Sequence, residues 1–318
     1  MRLLERIGDD EVKLTCNFIS NVPAYAILSH TWDVESEEVS YSDLLSGLGK
    51  NKRGYRKVQF CGNQAARHGL RYFWIDSCCI DRSSSAELTE AINSMFRWYQ
   101  NAARCYVFLS DVPQSGHAVG GSSLWPTCEA DFLSSRWFTR GWTLQELLAP
   151  RSVEFFSKTG EKLGDKRSLE KQINDATGIA LRALRNEPLL SFSVSERMLW
   201  AANRNTTREE DKAYSLLGIF DVTMPSIYGE GEEKAVNRLL KKLNRLPKEP
   251  GGNIYWRVPR AISSLFLGRF ETLDRIQRAL SVDETTNVAD QKRYVITGLG
   301  GVGKSEVCLK VANLMRER

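Results

Sequence analysis

Four short apolar runs, each ending on polar residues, set the pattern of the first half of the chain. They lie at residues 25–28, 70–75, 105–109 and 153–156. Continuous apolar runs of this length are typical of strands that are buried on both faces. Helical patterns separate the runs, so the order β-α-β-α-β-α-β predicts an α/β fold, with a parallel sheet and helices on both of its faces.

Amphipathic spacing and capping signals predict the helices. Residues 57–68 carry apolar side chains at helical spacing, and Gly69 is placed to end that helix. The segments SSAE at 84–87 and SVSE at 193–196 match the capping box, in which a serine and a glutamate satisfy each other's backbone N–H groups. Residues 165–246 are predicted to form a helical extension of the sheet domain.

The carboxyl ends of the predicted parallel strands should meet at one edge of the sheet, where ligands bind in such folds. Ser29, His30 and Trp32 follow the first strand, and Asp76 follows the second. A loop after the third strand leads to residues 135–148. We expect these polar side chains to lie on one rim. His30 could equally be a structural histidine.

Residues 135–148 (SRWFTRGWTLQELL) concentrate unusual side chains and predict a pocket. The segment holds Arg136, Trp137, Arg140, Trp142 and Glu146. The aromatic rings could face a flat ligand, and the arginines could pair with an anion. Two structural alternatives stay open: the tryptophans could be core residues, and Glu146 could be a carboxylate favoured near a helix N-terminus by the helix dipole.

A second motif, GLGGVGKS at 298–305, matches the Walker A pattern between a predicted strand and a predicted helix. Its glycines let backbone N–H groups cradle the phosphates of ATP or ADP, Lys304 would reach the outer phosphates, and Ser305 would ligate Mg²⁺. The chain ends 13 residues after Ser305. We therefore expect an incomplete nucleotide-binding domain without ATPase activity of its own. The predicted nucleotide-binding residues are Gly298, Gly300, Gly301, Val302, Gly303, Lys304 and Ser305.

Composition and charge narrow the function classes. A length of 318 residues with 42% hydrophobic and 26% charged residues suits two globular domains. From residue 230 onward there are 17 basic and 11 acidic residues, whereas the rest of the chain has a net charge of −1. This argues against a nucleic-acid partner for the first domain.

No apolar run is long enough to cross a bilayer, and the N-terminus turns acidic too early for a signal peptide, which predicts a cytoplasmic protein. The seven cysteines form no C-x-x-C pair, which argues against a disulfide framework or zinc site.

Five motifs, in order, resemble the fungal heterokaryon-incompatibility (HET) domain. They are YAILSHTW, YFWIDSCCID, EAINSMFRWYQNAARCYVFLSDV, SRWFTRGWTLQELLAP and DKAYSLLGIFDVTMPSIYGEGEEKAV. A later segment, FLGRFETLDRIQRAL followed by the Walker A motif, resembles the start of an NB-ARC/NACHT module of NLR-like (STAND) receptors. The resemblance implies a HET effector domain at 1–246, a linker at 247–267 and the beginning of a nucleotide-binding domain at 268–318.

The resemblance also implies an activity. HET domains are distantly similar to TIR domains, which share a flavodoxin-like parallel sheet, and many TIR domains cleave NAD⁺ with a glutamate in a Trp-Cys-x-x-Glu pattern. Residues 142–146 (WTLQE) have the same spacing with Thr143 in place of Cys. This implies Glu146 as the catalytic residue. The side chains expected to bind NAD⁺ are Ser29, His30, Trp32, Asp76, Asp81, Arg136, Trp137, Arg140 and Trp142.

The resemblance further implies how such a domain is controlled. The effector would be a cell-death domain activated when the effector and nucleotide-binding modules self-associate. A non-self ligand would be sensed by a C-terminal region absent from this sequence. The alternative is a module that triggers cell death through protein contacts and has no enzymatic activity.

Overall fold

The computed structural model describes residues 1–8, 11–113 and 125–244, together with position 276 alone. The chain divides into two compact units, Met1–Leu246 and Pro247–Arg318. The predicted linker at 247–267 and the glycine loop at 298–305 lie outside the described residues. The fold below is therefore that of the first unit.

A seven-stranded sheet forms the centre of this unit. In chain order the strands are β1 (Leu4–Arg6), β2 (Val12–Leu14), β3 (Tyr25–His30), β4 (Tyr72–Trp74), β5 (Arg104–Phe108), β6 (Val153–Phe156) and β7 (Lys162–Asp165). Their order across the sheet is β2-β1-β4-β3-β5-β6-β7. The fold is thus a mixed α/β fold.

The four predicted strands are the four parallel ones, β4, β3, β5 and β6, and they occupy the middle of the sheet. Taken in chain order, their spatial order is 2-1-3-4, the beginning of the flavodoxin-like arrangement. The prediction of a wholly parallel sheet was wrong at the edges, because β1, β2 and β7 pair antiparallel. These edge strands have only three or four residues and few buried positions, so they lack a continuous apolar run.

Helices connect the strands and extend the domain beyond the sheet. The α-helices are α1 (Tyr41–Ser46), α2 (Tyr55–Arg67), α3 (Asp76–Cys79), α4 (Ser85–Asn101), α5 (Trp125–Leu133), α6 (Thr143–Leu148), α7 (Glu170–Thr177), α8 (Leu181–Leu184), α9 (Val194–Ala201), α10 (Asp211–Tyr214) and α11 (Glu232–Leu243). Short 3₁₀ segments lie at Glu35–Glu37, Leu48–Asn51, Arg136–Thr139 and Leu189–Ser191. Among the described residues, no helix has both the length and the apolar character needed to span a membrane.

The predicted capping signals hold to different degrees. At α9, Ser193 and Glu196 form the complete reciprocal box. At α4, Ser84 accepts a hydrogen bond from the Glu87 backbone N–H at 3.3 Å, but the Glu87 carboxylate accepts instead from the backbone N–H of Asp81 at 2.9 Å. Gly69 follows α2 in the left-handed conformation, with φ of 71°, as its position predicts.

Packed aromatic residues show that helices cover both faces of the sheet. Phe60 of α2 packs against Phe156, with ring centroids 5.1 Å apart. The neighbouring strand residue Phe155 packs against Trp137, with centroids 5.6 Å apart. Because successive residues of a strand point to opposite faces, α2 and the 3₁₀ segment of Trp137 lie on opposite sides. This confirms the prediction of helices on both faces.

The helical extension after β7 is present as predicted and consists of five helices in its described part, α7 to α11, of which α11 has twelve residues. Residues 209–219 form only α10 followed by turns, and residues 224–231 form the predicted turn before α11. Hydrogen bonds from this part reach α6 of the sheet domain. The extension therefore helps to position α6.

Candidate active site at the carboxyl end of the central strand

Glu146 lies inside the domain, against the end of the central strand. It sits on α6, and only 6% of the residue is exposed. The Ser29 hydroxyl of β3 donates a hydrogen bond to the Glu146 carboxylate. Ser29 in turn accepts a hydrogen bond from the indole Nε1 of Trp137 at 2.9 Å. Two segments that are more than one hundred residues apart in the chain thus meet at one carboxylate.

The surroundings of Glu146 favour its protonated form. Burial is the largest cause, and the nearby Asp76 carboxylate adds repulsion; together they raise the pKa of Glu146 to about 8. Interactions with Ser29, Arg140 and Tyr99 oppose the rise but do not cancel it. A carboxyl group with such a pKa exchanges its proton near neutral pH, as acid and base catalysts do.

Asp76 provides a second, more exposed carboxylate at the same edge of the sheet. It begins α3 directly after β4, and its side chain is 20% exposed. It accepts a hydrogen bond from Trp32 Nε1 at 3.0 Å. His30 Nδ1 lies 3.8 Å from its Oδ1, and Arg82 Nη2 lies 3.7 Å from its Oδ2. Asp76 therefore connects the ends of β3 and β4, as its position in the sequence predicts.

Trp32 presents an aromatic ring beside cationic side chains. The ring is half-buried, and the guanidinium carbon of Arg82 lies 3.8 Å from its centroid. The Arg140 guanidinium carbon lies 5.9 Å from the same centroid. Both distances are within the range of cation–π attraction. This ring with its two guanidinium groups is the part of the site that suits a flat ligand with anionic groups.

The other predicted aromatic residues have structural partners. Trp137 is fully buried against Phe138 and Phe155, so in this conformation its ring does not reach a ligand, and its indole N–H holds Ser29. Trp142 is half-buried and donates from Nε1 to Asp211 at 3.0 Å, which fastens α6 to α10. The structural alternative weighed for the tryptophans thus describes their contacts here.

The side chains of Asp81 and Arg136 have hydrogen-bond and ion-pair partners other than the carboxylate of Glu146. The Asp81 carboxylate accepts from the backbone N–H and hydroxyl of Ser83, at 2.9 and 2.6 Å, and these bonds lower its pKa. Arg136 is half-exposed; its Nη2 donates to Ser110 at 3.1 Å and lies 3.6 Å from Asp33 Oδ1. Arg136 is thus positioned on the rim, whereas Asp81 closes a local turn.

A buried cluster of charged side chains lies on the side of β3 opposite to Ser29, and the sequence analysis did not predict it. Lys57 of α2 is 1% exposed and forms an ion pair with Glu38. Its Nζ lies 3.1 Å from Asp33 Oδ2. His30 Nε2 lies 3.7 Å from Glu38. Burial alone would raise the pKa of Glu38, but His30 and Lys57 outweigh it and hold that pKa well below its usual range. The sequence signal that could have indicated this cluster is the position of Lys57 within the apolar face of the predicted helix 57–68.

Arg204 is a second residue near the site that the motifs did not assign to it. Its Nη1 donates to the Thr143 hydroxyl at 2.8 Å and to the Arg140 carbonyl at 2.9 Å. Asp211 accepts a hydrogen bond from Trp142 Nε1 at 3.0 Å, so Arg204 and Asp211 hold neighbouring residues at the start of α6, the helix that carries Glu146.

These observations define an α/β domain with a flavodoxin-like core and a buried carboxylate at the carboxyl end of its central strand. The family model described as "Heterokaryon incompatibility protein (HET)" matches residues 25–146, which include Ser29, Asp76 and Glu146. Residues 25–146 are therefore a HET domain.

Two proteins that are longer than this chain are similar to parts of it. Vegetative incompatibility protein HET-E-1 of Podospora anserina is 56% identical over 246 residues, which cover 77% of this chain and 18% of that protein. A nucleotide-binding leucine-rich repeat (NLR)-like protein of Hyaloscypha variabilis is 37% identical over 70 residues, or 22% of this chain and 7% of that protein. The chain thus spans less than a fifth of the length of either relative. No solved structure matches the chain.

Proposed function

We propose that the HET domain is a TIR-like NAD⁺ glycohydrolase in which Glu146 is the catalytic residue. The observation that carries the proposal is the position of Glu146: its buried carboxyl group accepts a hydrogen bond from Ser29 at the end of the central strand and lies near Asp76. Ligands of open α/β sheets bind outside this end of the strands. A buried carboxyl group with a raised pKa, at that edge and beside an aromatic ring, supports a reactive site more than a surface cap.

The proposed reaction breaks the bond between nicotinamide and C1 of its ribose. The electron pair of that bond leaves with nicotinamide, which is a good leaving group and needs no proton from a strong acid. In the opened site, contact with solvent and the positive charge that develops on the ribose favour the ionised form of Glu146. The carboxylate then stabilises the oxocarbenium-like ribose that remains, and its oxygens hold ribose hydroxyls. Water then adds to C1 and releases one proton, which gives ADP-ribose. Asp76 binds hydroxyls, Trp32 faces a flat ring, and Arg136 or Arg140 pairs with the pyrophosphate.

The proposal includes a requirement for activation. Because Glu146 is only 6% exposed, NAD⁺ reaches it after neighbouring side chains move. The partly exposed groups next to the site are Asp76, Trp32 and Arg140. In the longer protein, a cytoplasmic NLR-like receptor of heterokaryon incompatibility, assembly through the effector and nucleotide-binding modules would bring about this opening. ATP or ADP with Mg²⁺ at the glycine loop would control that assembly.

The burial of Glu146 and Trp137 also favours a second candidate function. In that case the domain triggers cell death through protein contacts, and Glu146 is a structural carboxyl group that joins α6 to β3. A glutamine at position 146 would then preserve signalling, because it keeps the shape and can still accept the Ser29 hydrogen bond.

Release of nicotinamide from NAD⁺ separates the two candidates. The chain would be assembled at high concentration or on a multivalent scaffold and incubated with NAD⁺, alongside the Glu146→Gln variant. The proposed enzyme releases nicotinamide and the variant does not. A signalling module releases none in either form, while both forms kill cells in which they are expressed.

A further inference from the structure

Arg82 covers one face of Trp32 at the edge of the sheet that carries the proposed site. The residue lies in the turn between α3 and α4, and its guanidinium carbon is 3.8 Å from the centroid of the indole ring. This distance is close to the optimal separation of two carbon atoms in contact, so no other ring fits between the two groups. A flat ligand can therefore stack on this face of Trp32 only after Arg82 has left it.

Asp76 orients the covered ring and faces the same guanidinium group. Its Oδ2 accepts a hydrogen bond from Trp32 Nε1 at 3.0 Å and lies 3.7 Å from Nη2 of Arg82. An aromatic face and a carboxylate thus converge on one planar cationic group. Both attract a cation of this shape, the ring through its quadrupole and the carboxylate through its charge. Together these two features define a subsite for a flat cation.

The contacts that hold Arg82 in this subsite are weak enough to exchange. The distance of 3.7 Å to Asp76 exceeds the length of a hydrogen bond, and 45% of the Arg82 side chain is exposed. The adjoining turn has hydrogen bonds of its own, because Ser83 donates to the Asp81 carboxylate from its backbone N–H and from its hydroxyl. Arg82 can therefore leave Trp32 by rotation of its side chain, without movement of the turn.

We propose that Arg82 occupies the subsite of the nicotinamide ring of NAD⁺ and blocks it until the ligand displaces the side chain. The nicotinamide of NAD⁺ is planar and positively charged, so it matches the guanidinium that it replaces in shape and in charge. The exchange leaves Trp32 and Asp76 with a cation in the same place, whereas a neutral ring would lose both attractions. The inference rests on the proposed function for the identity of the ring, and it names Arg82 as a side chain that must move before cleavage.

The test measures binding of 1-methylnicotinamide, a nicotinamide cation without the bond to ribose, so that cleavage is not required. NMR would follow the indole N–H signal of Trp32, identified by its loss in Trp32→Phe, in the 318-residue chain at pH 7. Arg82→Ala should bind the probe about five- to thirtyfold more tightly than the parent, because a cation–π contact of ordinary strength leaves the subsite open only about 3–20% of the time. Uncharged nicotinamide should bind Arg82→Ala at least about fivefold more weakly than the probe.

Arg71→Ala is the matched control. Arg71 also lies over an aromatic ring, that of Tyr72, and pairs with a carboxylate, that of Glu5, but it does so at the opposite end of β4. This variant should bind the probe like the parent, and the other indole signals report whether each variant keeps its fold.

Three results overturn the proposal: equal binding by the parent and Arg82→Ala, weaker binding by Arg82→Ala, or no saturable shift in that variant. Equal affinity of Arg82→Ala for the probe and for nicotinamide also contradicts it, because charge would then play no part. The outcome is separate from catalysis. A chain that shows the expected binding but releases no nicotinamide from NAD⁺ keeps the subsite and loses the proposed reaction.

Discussion

The Ser29 hydroxyl at the end of β3 donates a hydrogen bond to the carboxylate of Glu146 on α6, and it accepts a hydrogen bond from the indole N–H of Trp137. This contact joins two of the five motifs on which the resemblance to the HET domain rests. It also gives a buried ionisable group one of the interactions, with those of Arg140 and Tyr99, that favour its ionised form against burial.

Replacing Ser29 with alanine should raise the pKa of Glu146 further above about 8. The hydroxyl stabilises the ionised carboxylate, so its loss favours the protonated form. The measurement is a titration of the glutamate carboxyl carbons by NMR. Ser110→Ala is the matched control, because Ser110 contacts Arg136 and Thr31 instead. An unchanged Glu146 pKa in Ser29→Ala would show that the hydroxyl does not support the carboxylate.

Glu146→Gln should change how stability depends on pH. The folded protein binds the Glu146 proton more tightly than the unfolded chain, since the pKa is about 8 rather than 4.5. The parent's free energy of unfolding therefore falls as the pH rises from about 4.5 through about 8. The total loss is at most about 1.4 kcal/mol for each unit of difference between the folded and unfolded pKa values of Glu146. Glutamine cannot ionise, so the variant should gain on the parent over this window and differ least at pH 4. Urea unfolding at pH 4, 6 and 9 measures the difference.

Glu170→Gln is the control with the opposite sign. Hydrogen bonds from Arg185 lower the pKa of Glu170, so its contribution is present above its ordinary pKa and is lost as the pH falls. The Glu170 variant should therefore lose stability relative to the parent at neutral pH and approach it in acid. If Glu146→Gln followed this same trend, the raised pKa of Glu146 would be contradicted.

Gly218 should not tolerate a side chain. A Cβ built at this position would lie 2.0 Å from Cβ of Phe96 on α4, which is far inside van der Waals contact. Because that neighbour is the root of its side chain, the helix itself would have to move. Gly218→Ala should therefore cost about 1–3 kcal/mol of unfolding free energy. Gly8→Ala, whose Cβ would meet nothing within 4 Å, should have little effect in the same urea titration. Equal stability of the two variants would contradict the close packing of α4 against this turn.

The sequence predicts the centre of the domain well, because its signals there are local. Each parallel strand is a continuous apolar run, and the rule that ligand-binding side chains follow such strands predicts that Ser29, Asp76 and the segment of Glu146 lie at one edge of the sheet. The edge strands β1, β2 and β7 were not predicted, because three or four residues of mixed polarity show no distinct alternation of apolar and polar positions.

The contacts that complete the site depend on long-range packing and could not be read from spacing. Tyr99 reaches the Glu146 carboxyl group from α4, and Arg204 reaches Thr143 of α6 from the segment after α9. They lie 47 residues before and 58 residues after Glu146, and nothing in their local sequence marks them as partners of α6. The burial of Trp137 is a similar case, since the same cluster of aromatic residues fits a ligand pocket or a core until the neighbours Phe138 and Phe155 are placed.

Catalysis of NAD⁺ cleavage by the Glu146 carboxyl group is tested by measuring nicotinamide release from the assembled chain. Glu154→Gln is the matched control, because Glu154 is also a buried glutamate, at 5% exposure, but lies on β6 and pairs with Arg104 and Lys162. We expect release by the parent and by Glu154→Gln, and at least a hundredfold slower release by Glu146→Gln when all three are folded. Release by Glu146→Gln at the parental rate, or none from the assembled parent, would contradict it.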